Sequence, residues 1–327
     1  MKFLVTGGAG YIGSHMVQYL QDRNFNVDVI DNFSTGNKWA LKNCNIYEIN
    51  LLDKLALEKV FSQNTYDAVF HFAAKSIASD SFIYEQEYMD NNVTASKNLL
   101  DLIIQYNIKN IIFSSSASIY GSINSYKVDE THPKIPLNPY GRSKLIFEET
   151  LKEYSYKFNL NVAILRYFNA AGADEDARIG EFHKPETHLI PSIFNILINK
   201  DDTLKVYGND YKTKDGTCVR DYIHVSDLVN AHYLAYNKLI KSNGCLDFNL
   251  GNGNGFSVLE IIKACELVTK KKVRFEFVEK RLGEPEYLVA DSSKAISELK
   301  WKIIHEDINE IIKSAWRWHL RLYNEII

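Results

Sequence analysis

At 327 residues, with 46% hydrophobic and 24% charged, the chain has the balance of an ordinary folded soluble protein and is long enough for two lobes. A net charge of −3 gives no electrostatic reason to expect a nucleic-acid or anionic-membrane partner. No apolar run is long enough to cross a bilayer, and Cys44, Cys218, Cys245 and Cys265 show neither metal-ligand spacing nor a disulfide framework, so a reducing compartment, the cytoplasm, is expected.

The first element is KFLVT at residues 2–6, a strand pattern that runs straight into TGGAGYIG and leaves no room for a signal peptide. Gly8, Gly10 and Gly13 fit Gly-x-Gly-x-x-Gly, while Gly7, Gly10 and Gly13 fit Gly-x-x-Gly-x-x-Gly; both describe a tight turn that brings backbone N–H groups and a helix N-terminus against a pyrophosphate. NVDVI follows as a second strand and ends beside Asp31, where a carboxylate would bind a ribose hydroxyl and repel a 2′-phosphate. The order strand, glycine loop, helix, strand, acid predicts a dinucleotide site with NAD as cofactor.

DAVFHF, NIIFSSS and NVAILRYF continue the series of short apolar runs separated by helix-length patterns. They predict an α/β fold, a Rossmann-type doubly wound parallel sheet, with CLDFNL at 245–250 returning to the same sheet. The organisation expected is an NAD-binding domain over 1–175 and a smaller C-terminal α/β substrate lobe over 176–327, with a soft boundary. NIIFSSS places Ser114, Ser115 and Ser116 at the carboxyl end of a strand, where open parallel sheets bind ligands. PYGRSK then sets Tyr140 and Lys144 one helical turn apart, so that both face the same way.

In the second half, HLIPSIFNILIN reads as a helix and KVRFEFVE as a strand. SVLE at 257–260 is a capping box, and GNGNG before it reads as structural. Lys270, Lys271 and Lys272 read as a solvated helix end, and the stretch around Trp316 and Trp318 as a helix with an apolar packing stripe. His71, His183 and His224 lack metal-ligand or nucleophile spacing; structural roles and no metal are expected.

Taken together, TGGAGYIGSH, HFAA, DNNV, FSSSASIYG, NPYGRSKL, LRYFNAAGA, YGNDYKTKDGTCVRDYIHV and RLGEPEYLVADSSK resemble the extended short-chain dehydrogenase/reductase superfamily, and within it the UDP-glucose 4-epimerases, nearly end to end. The resemblance implies an isomerase that interconverts UDP-galactose and UDP-glucose by transient oxidation at C4. It gives catalytic roles to Ser116, Tyr140 and Lys144. It places Gly7, Gly10, Tyr11, Ile12, Gly13, Asp31, Asn32, Asn50, Leu51, Phe72, Ala73, Ala74, Asn91, Ser114 and Tyr167 about the cofactor, with Tyr140 and Lys144. It places Phe168, Asn169, His188, Leu189, Tyr207, Arg220, Arg281, Glu284 and Leu288 about the UDP-hexose, with Ser116. Asn50, Ser76 and His188 stand where many relatives carry aspartate, lysine and asparagine, and none of these changes removes a catalytic group.

The chemistry of the pair can be weighed. Ionising a tyrosine near neutrality lowers its pKa by ~3 units, or ~4 kcal/mol, and an ammonium at ~4 Å supplies ~4 kcal/mol at an effective dielectric near ~20. Lys144, beside the positive nicotinamide, is therefore expected to make Tyr140 a general base. Leu288 falls at the gate beside the sugar's C2 substituent and is intermediate in size, which leaves N-acetylated UDP-sugars open as further substrates. Ala117 and Ser118 stand where dehydratases and decarboxylases on this scaffold carry an acid. A uronate 4-epimerase and an NAD-binding sensor are the remaining alternatives, and the sensor reading is weakened by the intact Tyr–Lys pair. A homodimer through helices near 92–106 and 140–156 is the assembly the resemblance implies.

Overall fold

The alternation within the first strand dictates the layers. Phe3 and Val5 are buried on one face with Phe248, Leu239 and Trp301, while Leu4 is buried on the other with Val69, Leu99 and Phe147. A strand buried on both faces needs helices on both sides, which is the requirement of a doubly wound sheet.

The computed structural model describes residues 1–122, 125–199, 203–281 and 283–325. In chain order its first half runs β1 (Lys2–Thr6), α1 (Tyr11–Gln21), β2 (Asn26–Asp31), β3 (Asn45–Glu48), α2 (Lys54–Gln63), β4 (Ala68–His71), α3 (Glu85–Met89), α4 (Ala95–Gln105), β5 (Asn110–Ser116), α5 (Pro139–Phe158) and β6 (Asn161–Tyr167). It continues with β7 (Asn169–Ala171), α6 (Leu189–Asn199), β8 (Leu204–Tyr207), β9 (Val219–His224), α7 (Val225–Ser242), β10 (Cys245–Leu250), β11 (Gly255–Ser257), α8 (Val258–Thr269), β12 (Phe275–Val278), β13 (Tyr287–Leu288), α9 (Ser293–Leu299) and α10 (Ile308–Glu325). Among these, no helix is long and apolar enough to cross a membrane.

The main sheet is parallel, with seven strands in the order β10-β6-β5-β4-β1-β2-β3. Its connections reverse direction on either side of β1, and the crevice beyond the carboxyl ends of β1 and β4 is where such sheets take ligands. Cys245–Leu250 is its edge strand, paired with β6. The sequence reading did not find β3 on the opposite edge, because NIYE is mostly exposed and carries no apolar run.

Outside this sheet, β7, β9, β11 and β13 form a second sheet, and β8 pairs with β12 in a third. Ile190, Phe194, Ile261, Ile311 and Ile312 make the core that holds α6, α8 and α10 together. Ser257 Oγ accepts the Glu260 N–H at 3.1 Å and the Glu260 carboxylate accepts the Ser257 N–H at 3.0 Å, so α8 opens on a complete capping box. The glycine-rich turn before it is structural: Asp221 accepts N–H groups from Asn252, Gly253 and Ala290. Lys270 ends α8 in the left-handed region at φ 58°, Lys271 reaches the Leu197 carbonyl at the end of α6, and Lys272 pairs with Glu266.

Candidate active site

The glycine loop is shaped by what stands around it. Gly7 has φ +70°, and a Cβ there would lie 2.5 Å from the Ala73 nitrogen, in the stretch that follows β4. A Cβ on Gly13 would lie 2.1 Å from the Gly7 carbonyl oxygen. Gly10 caps α1 with no side-chain hydrogen bond, and no acid occupies the helix's first turn. The first N–H groups of α1, from Tyr11 and Ile12 onward, are thus left for an anion. The Tyr11 side chain is engaged elsewhere, donating to the Gly172 carbonyl at 2.7 Å.

Asp31 lies at the end of β2, nearly buried, and accepts N–H groups from Ala9 at 2.9 Å and Phe33 at 2.8 Å. Burial pushes its carboxyl pKa up against those two hydrogen bonds. This bare helix terminus, with an acid fixed beside the loop and no room for a side chain at Gly7 or Gly13, fits a dinucleotide. Gly13→Ala is expected to destabilise the fold by about 1–3 kcal/mol through overpacking and to leave the purified protein without bound cofactor. Urea denaturation and the absorbance of released cofactor measure the two effects.

The other residues expected near the cofactor are disposed unevenly. Asn32 and Asn50 fold back on their own turns, accepting the Ser34 and Leu52 N–H groups, and Asn50 is exposed while Leu51 is buried. Asn91 donates to Asn92, and it is Asn92 that is buried, bonded to both backbone groups of Lys75 and to Ser143. Phe72, Ala73 and Ala74 are half-buried along the crevice, and Phe72 lies 5.0 Å from the His232 ring.

The proton-handling groups meet at the carboxyl end of β5. Asn138 caps α5 by accepting the Gly141 N–H at 2.8 Å, Pro139 opens the helix, and Tyr140 and Lys144 follow on one face. The Lys144 ammonium donates to the Ser114 carbonyl at 2.9 Å and lies 5.9 Å from the centre of the Tyr140 ring. Ser116 lies near enough to Tyr140 to favour its phenolate, and Ser114 is hydrogen-bonded to the hydroxyl of Tyr167.

Burial acts on both members of the pair. Burial pushes the Tyr140 phenol up, and only Ser116 pulls the other way. Burial also brings the Lys144 ammonium down to about 7, against the attraction of Glu148. The amine is held by the Ser114 carbonyl, and its charge would act on the phenol together with that of the nicotinamide when NAD is bound. What the arrangement holds ready is a tyrosine, a serine and a lysine that can exchange and share a proton.

A second group of side chains lies on the smaller sheets. Arg220, nearly buried on β9, donates to the Val219 carbonyl at 2.7 Å and places Nη2 3.1 Å from the Glu284 carboxylate. Leu288 is its register partner on β13 and packs with Phe168, Ala117 and Tyr120. The Arg281 guanidinium stands 4.0 Å over the Tyr207 ring, and Asn169 on β7 is the register partner of Tyr222 on β9. Leu189 opens α6 against its core, whereas His188 is turned into a cluster with Glu181. Two histidines are structural: His71 bridges Thr6 and Ser96, and His224 caps α7 and bonds to Ser314.

Sequence reasoning missed the support beneath this site. Arg166 on β6, wholly buried, donates from Nε and Nη2 to the two oxygens of Glu148 on α5 at 2.9 and 2.8 Å. Nη2 also lies 2.9 Å from Asp247 on β10, and Ser115 donates to Glu148 at 2.6 Å. The signal was present: an arginine in NVAILRYF and an aspartate in CLDFNL, charges in runs that are otherwise apolar, must find partners.

Residues 3–251 match the model of the NAD dependent epimerase/dehydratase family. A UDP-glucose 4-epimerase of Halalkalibacterium halodurans is 42% identical, covering 98% of this chain and 96% of its own. A crystal structure of UDP-glucose 4-epimerase superposes with a TM-score of 0.96 at 42% identity over 99% of both chains. UDP-glucose 4-epimerase from Brucella ovis, in complex with NAD, gives 0.93 at 40% identity over 97% of both.

Proposed function

The chain belongs to the NAD dependent epimerase/dehydratase family, and from that membership and the site's geometry we propose that it interconverts UDP-galactose and UDP-glucose as a UDP-sugar 4-epimerase. The observation that supports this most is the meeting of Tyr140, Ser116 and Lys144 at the end of β5, on a chain that matches relatives of that name throughout.

NAD, when bound, supplies the hydride acceptor and donor, and so no second redox substrate is needed. Gly7, Gly10 and Gly13 with the first N–H groups of α1 would hold its pyrophosphate, and Asp31 its ribose. Tyr140 takes the proton from the C4 hydroxyl of the sugar, with Ser116 hydrogen-bonded to both oxygens, and returns it after the 4-keto sugar has turned over in the pocket. Lys144 is held near the phenol by its hydrogen bond to the Ser114 carbonyl. Arg220 and Arg281 are suited to the diphosphate, and Glu284 holds Arg220 in place until a dianion arrives. Tyr207, flattened under Arg281, offers a face to the uracil. A homodimer through the exposed faces of α4 and α5 completes this reading, and sedimentation equilibrium tests it.

Purified protein given UDP-galactose is expected to produce UDP-glucose with no net NADH; stoichiometric NADH would overturn the assignment. The same assay with UDP-N-acetylgalactosamine reads the gate at Leu288. Leu288→Tyr is expected to reduce turnover of the N-acetylated sugar by about 10-fold or more relative to UDP-galactose, the range a change of pocket volume commands.

A further inference from the structure

The stretch 181–188 gathers four ligand groups, of which only His188 was expected near the UDP-hexose. One atom each from Glu181, His183, Glu186 and His188 lies within 4.8 Å of all the others. Both carboxylate side chains are only 9% exposed, so their charge must be met locally. His183 Nδ1 stands 3.6 Å from Glu181 Oε1 and 3.5 Å from Glu186 Oε2, and His188 Nδ1 is hydrogen-bonded to Glu181.

The backbone fixes these groups. Trp318 Nε1 donates to the Glu181 carbonyl at 3.0 Å, and Glu186 Oε1 accepts the N–H groups of Thr187 and His188. A cavity of about 40 Å³ opens beside them, lined by Glu181, His183 and Glu186 and, from across, by Asn195 and His319. That exceeds the room one ordered water or ion needs. Glu181, His183 and Glu186 face this cavity and His188 completes the cluster, so that two imidazoles and two carboxylates lie within 4.8 Å of one another; that is the donor set of a borderline-soft ion, and the imidazoles argue against calcium or magnesium.

We propose that Glu181, His183, Glu186 and His188 form a binding site for one divalent transition-metal cation of the zinc class. The expectation of no metal, drawn from spacing, overlooked HKPETH, in which the histidines fall at positions 183 and 188 around Glu186.

The test uses the full chain, freed of metal by a chelator, and titrates it with Co²⁺ and then Zn²⁺ by absorbance and calorimetry at pH 7. Expected are one Co²⁺ per chain with visible d–d bands and displacement by Zn²⁺. His183→Gln and Glu186→Gln, each measured separately in case one fails to fold, are expected to weaken binding by at least about 100-fold, since losing a ligand exceeds the loss of an outer partner. Substoichiometric uptake, bands unchanged in both variants, or ultraviolet thiolate bands marking a cysteine site would overturn the proposal and leave a protonated ion-pair cluster.

Discussion

Tyr140→Phe is expected to lower kcat for UDP-galactose by about 10³-fold while leaving cofactor bound, because it removes the proton acceptor and keeps the ring. The ring's packing beside Tyr88 and within reach of Lys144 does not depend on the hydroxyl. Cofactor retention is read from the absorbance of the purified variant, and kcat from the conversion of UDP-galactose to UDP-glucose. A loss smaller than about 10-fold would remove Tyr140 from the role of base, since positioned acid–base groups contribute about 10²–10⁴.

The pH profile sharpens this prediction. The working form, phenolate beside ammonium, carries the same number of protons as phenol beside neutral amine. The pair must therefore lose its first proton before it can accept one from the sugar, and it titrates as a unit. Burial lowers Lys144 to about 7 and raises Tyr140, so the first proton leaves near about 7 in the free chain. Below that value both groups are protonated and the base is blocked. Activity of the wild type therefore rises with pH through this step, and the Tyr140→Phe variant loses the rise. A limb that persists in the variant would assign it to another group.

What could be read from the residues was whatever is local. TGGAGYIG after a strand, serines at a strand's carboxyl end, and Asn-Pro before Tyr140 are each encoded within a few positions, and the sheet brings them to one edge. β3 was missed because an exposed edge strand buries little and shows no apolar run. Spacing places Tyr140 and Lys144 on one face of α5, but the carbonyl that holds the amine belongs to Ser114 on another strand and is not legible from that spacing. Arg166, Glu148 and Asp247 share no spacing at all: they lie on β6, α5 and β10 and meet only in the folded molecule.

That network carries the second large effect. Arg166→Met is expected to destabilise the fold by about 3–5 kcal/mol, since it leaves a wholly buried Glu148 without its cation. Asp247 is partly exempt, because Lys294 stands 2.8 Å away and keeps it paired, whereas Glu148 retains the Ser115 hydroxyl and the attraction of Lys144, with no ion pair among the described residues. Urea denaturation reads the loss as a lower midpoint at unchanged slope. Acidification protonates a lone buried carboxylate, so the deficit should shrink as pH falls from 7 toward 5, the opposite of ordinary acid destabilisation. Arg166→Met combined with Glu148→Leu is expected to recover most of the stability, because replacing both buried charges removes the desolvation problem. A single-variant deficit below about 1 kcal/mol, or a double variant no more stable than the single, would mean the ion pair does not hold this part of the sheet. Ser115 loses its acceptor in the double variant and is adjacent to Ser116. Recovered stability with turnover still reduced would therefore separate the neutralising of Arg166 from the support that Glu148 gives the site through Ser115 and through the charge of Lys144.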